Sequence, residues 1–229
     1  MDRTYAIILA GGSGLRLDDK VPKQFLPLAN RPVIAWSMQT FAACEAIDHI
    51  IAVLPDRYLP QAELIFQEYS IQKILKLVPG GSTRQESASN AIASLPFDDN
   101  DVILIHDAAR PFIRQETIIS CVSEARTHSA AGVYVPVQDT VAEIRDSFVA
   151  TVPPRDTLFA AQTPQAFRFS IINAAHMAAL RNGTTATDDV SLAIAAGFRV
   201  KMVRGESSNF KITTTLDYQA ACRFAETYK

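Results

Sequence analysis

The chain alternates short apolar runs with longer stretches in which apolar residues recur every three or four positions. Runs at 5–9, 47–54, 74–78, 102–106 and 132–137 are short and largely uncharged and each predicts a strand, with 5–9 and 102–106 reading as buried. Stretches at 33–43, 59–69, 83–94 and 115–129 predict helices between them. Boundary residues agree with this division. Pro32 suits a first helical turn. Pro79, Gly80 and Gly81 stop a strand, and Ser82 or Thr83, with Glu86 following, caps the next helix. This alternation predicts an α/β fold, a Rossmann-like, mostly parallel sheet with helices on both faces. Ligands of such sheets bind beyond the carboxyl ends of the strands. The loop after 5–9, the pair Gly80 and Gly81, and Asp107 all follow strands and are expected on one edge.

After residue 137 the pattern changes. Apolar pieces at 141–144 and 148–152 flank Arg145, Asp146 and Ser147, which predicts a hairpin. A two-stranded hairpin is marginal by itself, and this one is apolar on both faces, so it needs a covering surface, on a partner subunit or on its own domain. The chain reads as a single domain over 1–229, with 138–160 as a protruding β-hairpin arm for dimerisation. After the arm come helices at 170–182 and 188–196, a strand at 199–203 and an extended piece at 209–213. Thr214 or Thr215 caps the last helix, which runs to 228.

With 229 residues and 48% apolar composition, the chain can bury a sizeable core without disulfides. A net charge of −2 gives no reason to expect nucleic acid or an anionic membrane as partner. Cys44, Cys121 and Cys222 lie far apart, without metal-ligand spacing, as in a protein of a reducing compartment. No apolar run reaches the length of a membrane span, and Asp2 and Arg3 lead straight into a strand rather than a signal peptide. A cytoplasmic protein is the expectation.

The first loop, Ala10-Gly11-Gly12-Ser13-Gly14-Leu15-Arg16, followed by Lys23, is the leading candidate for chemistry. Glycines after a strand permit close backbone approach, and cations beside them suit polyphosphate. The two common nucleotide motifs are absent. Leu17 occupies a position where the dinucleotide fingerprint needs a small residue, no acid stands near Ile34, and no Gly-Lys-Ser/Thr occurs. Asp107, at the end of the cleanest strand, suits a magnesium ion shared with phosphates; equally, it caps a turn and pairs with Arg110. His106 reads as a hydrogen-bonded strand-end histidine. Gly80, Gly81 and the hydroxyls after them either admit a nucleobase edge or simply start a helix. Thr187 and Asp188 open a helix, and Lys211 is one cation on an otherwise apolar stretch.

Taken together, these segments resemble 2-C-methyl-D-erythritol 4-phosphate cytidylyltransferases. The resemblance is carried by the glycine loop, Pro22-Lys23-Gln24-Phe25, Gly80 and Gly81 with Arg84 and Ser87, and His106-Asp107-Ala108-Ala109-Arg110-Pro111. It continues through Asp139-Thr140, Arg155, Gln162-Thr163-Pro164-Gln165, Thr187-Asp188 and Asn209-Phe210-Lys211. The family resemblance implies attack of a polyol phosphate on the α-phosphorus of CTP, with Mg²⁺ or another divalent cation and loss of pyrophosphate. It implies Arg16, Lys23 and Lys211 on the reacting phosphates. Asp107 would orient the sugar alcohol and lie at the metal. Ala10, Gly11, Gly12, Gly14, Gly80, Gly81 and Ser87 would hold the nucleotide. Arg110, Thr163 and Thr187 would touch the polyol, and Thr140 and Arg155, from the other subunit of a homodimer, its phosphate. Departures are Pro153 and Pro154, which stiffen the approach to Arg155, Ser207 and Ser208 where an acid is common, and Thr215 in place of a proline.

Two other readings remain open at this point. A ribitol 5-phosphate cytidylyltransferase shares the glycine loop and the Gln-Thr-Pro-Gln segment. A non-catalytic nucleotide-binding module would be expected to lack some of the three cations.

Overall fold

The protein is described by a computed structural model that covers residues 2–11 and 21–228. β1 (Thr4–Leu9) is followed by a two-residue antiparallel pair, β2 (Pro27–Leu28) and β3 (Arg31–Pro32). Then come α1 (Val33–Ala43), β4 (His49–Leu54), α2 (Leu59–Glu68), β5 (Ile74–Pro79), α3 (Arg84–Ile92) and β6 (Val102–Asp107). The second half runs through α4 (Gln115–His128), β7 (Ala130–Pro136), β8 (Glu143–Arg145), β9 (Phe148–Thr151) and β10 (Phe159–Arg168). It ends with α5 (Phe169–Asn182), α6 (Asp189–Ala195), β11 (Lys201–Arg204) and α7 (Thr215–Thr227).

The main sheet has the order β11-β7-β10-β6-β1-β4-β5. β1 pairs in parallel with β4 and β6, β4 with β5, and β11 with β7, whereas β10 is antiparallel to both its neighbours. Every residue of β1 is buried, because alternate side chains enter two different cores. Ala6 and Ile8 join Met38, Phe41, Phe66 and Val122, from α1, α2 and α4. Tyr5, Ile7 and Leu9 join Ala88, Ile172 and Leu192, from α3, α5 and α6. Burial on both faces explains why the strand reads as a continuous apolar run rather than an alternation. A third cluster seats α7, through Ala221 and Ala225, against Trp36, Phe112 and Ile212, and so anchors the segment that carries Lys211.

One strand differs from the sequence pattern. β10 falls where the pattern predicts no strand, yet it occupies the middle of the sheet. Its pairing with β7 shifts register between Ala161 and Gln165, a bulge that interrupts the ladder at Gln162, Thr163 and Pro164. The expected choice of caps also resolves. Thr83 accepts from Glu86 N at the start of α3, and Thr214 forms a reciprocal capping box with Asp217 at the start of α7. In the hairpin, Asp146 and Ser147 both have positive φ, 49° and 68°, between the paired Arg145 and Phe148. This is the two-residue turn whose twist matches that of its strands.

Candidate active site

The carboxyl ends of β1, β5 and β6 open on a cavity of about 350 Å³. Ala10, Gly11, Gly81, Ser87, Lys23, Asp107 and Lys211 line it, together with Gln24 and Arg84. Gly12, Gly14 and Arg16 lie outside the described residues. One wall is built on Ser87 of α3. Its Oγ accepts from Gly81 N at 3.0 Å and donates to Thr83 O at 2.8 Å. A Cβ on Gly11 or on Gly80 would come within 3.2 Å of that oxygen, and one on Gly81 would lie 2.3 Å from Glu86 Cβ. At Gly81 no side chain fits, and at Gly11 and Gly80 a side chain would have to push the Ser87 hydroxyl aside. The opposite lip is fixed by Gln24, whose Nε2 donates to Ala10 O at 2.7 Å.

The other wall is charged. Asp107 is 7% exposed and sits between two cations: Arg84 Nε lies 3.2 Å from Oδ1 and Lys211 Nζ 2.7 Å from Oδ2. Burial alone would raise its carboxyl pKa, but Arg84 and then Lys211 outweigh that and hold it well below the usual range. Lys23 Nζ donates to Ile212 O at 2.9 Å, which brings it beside the chain segment of Lys211. The alternative pairing of Asp107 with Arg110 is not what forms. Arg110 instead donates its guanidinium to Asn209 O and, at 3.4 Å, to Ala161 O, while its backbone N–H closes a turn on Asp107 O.

A second cavity, of about 210 Å³, shares Arg84, Asp107 and Lys211 with the first. Its remaining wall includes Arg110, Thr163, Gln165, Thr187 and Asp188. A buried polar network shapes it. Arg84 Nη1 meets Asp189 at 2.7 Å, and Asp189 takes a further bond from His176 Nε2 at 3.0 Å. Burial disfavours the charges of both Arg84 and Asp189. Their pairing, with His176, reverses this, so Arg84 is held above and Asp189 below its ordinary pKa. Gln165 accepts from the backbone of Asp189 and Val190 and donates to Asp188. Asp188 also caps α6, as the hydroxyl and acids there suggested. Asn209 Nδ2 holds Thr163 O at 2.9 Å. His106 is fully buried against Phe41, and burial pushes its pKa down to about 4.

Ten of the sequence-derived candidates therefore converge within one chain: Ala10, Gly11, Lys23, Gly81, Ser87, Asp107, Arg110, Thr163, Thr187 and Lys211. Gly80 backs the Ser87 wall. Thr140 and Arg155 line neither cavity. Both are exposed, and Arg155 donates to Gln138 O at 2.9 Å. Sequence reasoning gave no site role to Arg84, Gln165 or His176, and took Asp189 only as one of two acids that open a helix. Arg84 carried one usable signal, its place at the first turn of the helix that follows the two glycines. The buried bonds of the other three show in no local pattern, because their partners are distant in sequence.

Two polar cavities, meeting at paired cations beyond the strand ends, form an arrangement suited to bringing two anionic substrates together; the class is that of a nucleotide-dependent transferase. Comparison with known proteins narrows this. The family model for 2-C-methyl-D-erythritol 4-phosphate cytidylyltransferase matches residues 4–226. A protein of that name from Syntrophotalea carbinolica is 39% identical over 97% of this chain and 96% of its own length. One from Thermobifida fusca is 39% identical over 96% and 92%. Among solved structures, 4-diphosphocytidyl-2C-methyl-D-erythritol synthase from Anaerococcus prevotii superposes with a TM-score of 0.87 at 31% identity, covering 98% of this chain and 96% of that one. The chain belongs to the 2-C-methyl-D-erythritol 4-phosphate cytidylyltransferase family. It is an enzyme of isoprenoid precursor synthesis that transfers a cytidylyl group from CTP to 2-C-methyl-D-erythritol 4-phosphate.

Proposed function

We propose that the larger cavity holds CTP and the smaller one the polyol phosphate, with Asp107 and its two cations at their junction. The observation that carries this reading is the shared wall of Arg84, Asp107 and Lys211. A phosphate oxygen of the acceptor attacks the α-phosphorus, the bond to the β-phosphate oxygen breaks, and pyrophosphate leaves. The acceptor phosphate is already an anion, so no side chain has to act as nucleophile or base. Catalysis is then positioning and charge neutralisation. Lys23, Lys211 and Arg16 neutralise the reacting phosphates. Ala10, Gly11, Gly80, Gly81 and Ser87, with Gly12 and Gly14 of the same loop, hold the nucleotide. Arg110, Thr163 and Thr187 hold the polyol. Among the described residues, buried Arg84 Nη2 and Arg110 Nε lack an acceptor, which suits an anion between them.

One carboxylate of the site can serve as a ligand to a divalent cation. Among the described residues no three His, Cys, Asp or Glu gather as a metal site, but Mg²⁺ in phosphate-transfer sites takes one or two carboxylates and draws its other oxygens from substrate phosphates and water. Asp107 is the residue that would hold it, and the ion would supply further neutralisation of the triphosphate. The β8–β9 arm, within 138–160 of a single domain, is assigned to a homodimer in which Thr140 and Arg155 reach the partner's polyol phosphate. Its exposed Ile144, Phe148 and Val149 support a covering subunit. Among the described residues no helix is long and apolar enough to cross a membrane, in keeping with a cytoplasmic enzyme. Pyrophosphate release from CTP, measured with 2-C-methyl-D-erythritol 4-phosphate in wild type, Lys211→Ala and Arg155→Ala, tests the assignment. Loss of turnover in the first variant and a raised KM for the polyol phosphate in the second are expected. Wild-type kinetics in both would overturn it.

A further inference from the structure

The groups around His106 fix a direction of hydrogen bonding. The Arg110 carbonyl can only accept, so His106 Nε2, 3.2 Å away, carries the ring proton and donates to it. In the neutral ring Nδ1 keeps a lone pair, and Thr163 Oγ1, at 3.0 Å, donates its single proton there. The Asp107 backbone N–H donates to the same oxygen at 3.1 Å. A hydroxyl has one proton and two lone pairs. Thr163 has thus committed its proton and one lone pair, and it retains one lone pair.

We propose that His106 is a positioning residue that sets substrate orientation: through Nδ1 it makes Thr163 a pure acceptor in the wall of the smaller cavity, so that this wall takes an alcohol O–H and refuses an anionic oxygen. The inference rests on the assignment of Thr163 to the polyol subsite made above. It extends that assignment by giving the contact a polarity. A phosphate turned toward Thr163 would set an oxyanion against a lone pair. Turned the other way, the phosphate faces the cations of the cavity and an alcohol group meets Thr163. Gln162 and Pro164 flank Thr163 at the bulge of β10, and Asn209 pins its carbonyl, so the hydroxyl is held where His106 can direct it.

The test uses two substitutions that divide the imidazole. His106→Asn puts an amide oxygen near the place of Nδ1 and keeps an acceptor for Thr163. His106→Gln puts an amide nitrogen near the place of Nε2, serves the Arg110 carbonyl, and leaves the Thr163 proton free to turn into the cavity. In steady-state kinetics with CTP and 2-C-methyl-D-erythritol 4-phosphate, His106→Gln and Thr163→Val are expected to raise the KM of the polyol phosphate roughly tenfold, as loss of a polar contact does. His106→Asn and Thr163→Ser recover most of that loss, and the KM of CTP stays within about twofold throughout. Equal polyol KM values for His106→Asn and His106→Gln, or a parallel rise in the KM of CTP, would overturn the proposal. A wild-type polyol KM in Thr163→Val would instead show that the subsite assignment is wrong. A raised value there with none in His106→Gln would leave the subsite standing and remove the role of His106. Should His106→Gln not fold, wild type offered polyol phosphates in which each hydroxyl is replaced in turn by fluorine, which accepts weakly and cannot donate, gives the same answer. One position must lose about tenfold against wild type and nothing further against Thr163→Val, and equal losses in both contradict the proposal.

Discussion

At the strand edge Asp107 is buried with Arg84 on one oxygen and Lys211 on the other, while in the β8–β9 arm Phe148 is 77% exposed and Val149 65%. The two regions hold their candidate site residues in opposite ways. The strand edge is preorganised: its charges are placed by paired strands, a capped helix and a buried network before any substrate arrives. Among the described residues of one chain the arm has no such support. Among its described contacts are the β8–β9 ladder and an exposed Arg145–Glu143 ion pair, which contributes little in water. The contrast teaches where each part of the reaction resides. On the proposed assignment, charge neutralisation belongs to one protomer, whereas capture of the polyol phosphate is completed by a second.

The largest effect should come from the preorganised side. Lys23→Ala is expected to lower turnover about a hundredfold or more, near 3 kcal/mol of transition-state stabilisation, in a pyrophosphate-release assay. A near-wild-type rate would break the contrast at its stronger end. A stability effect of similar size follows from His106. Its native pKa of about 4 lies below the unfolded value near 6.5, so between these the unfolded chain binds more protons and stability falls as pH falls. The full loss for this group is about 3 kcal/mol, and His106→Asn should remove that part of the slope in urea unfolding at about pH 7 and about pH 4.5. Parallel curves for wild type and variant would contradict it.

The arm should answer differently. Phe148→Asp combined with Val149→Asp is expected to give monomers by sedimentation and to raise the KM of the polyol phosphate at least about tenfold, with little change for CTP. A dimer with unaltered kinetics would erase the distinction between the regions. The smallest effect tests how the strand edge holds its second lysine. Thr214→Ala removes the capping box of α7, which packs on the Lys211 segment, and should cost about 1 kcal/mol of stability by thermal unfolding.

The contrast also marks what the sequence made legible. Doubly buried strands such as β1 and β6 announce themselves as unbroken apolar runs, and loops after them carry residues whose backbone or charge chemistry is local. Gly11 and Asp107 could be picked out for that reason, Gly81 as one of two glycines that stop a strand, and Lys211 as one cation on an otherwise apolar stretch. β10 could not. Gln162, Thr163, Pro164 and Gln165 argue against a central strand, since proline donates nothing to a ladder and buried polar groups need partners. Those partners, on His106, Asp188, Asp189 and Asn209, lie 23 or more residues away, and only the fold supplies them. Arg84 was hidden likewise: its bonds reach Asp107 and Asp189, at separations of 23 and 105 residues.

The most direct measurement is a crystal structure of this protein with CTP and a divalent cation. Cytosine is expected between Gly11 and the Gly80–Ser87 wall, with the triphosphate against Lys23 and Lys211 and the smaller cavity open beside Asp107. CTP bound away from the strand edge, with both lysines turned from its phosphates, would contradict it.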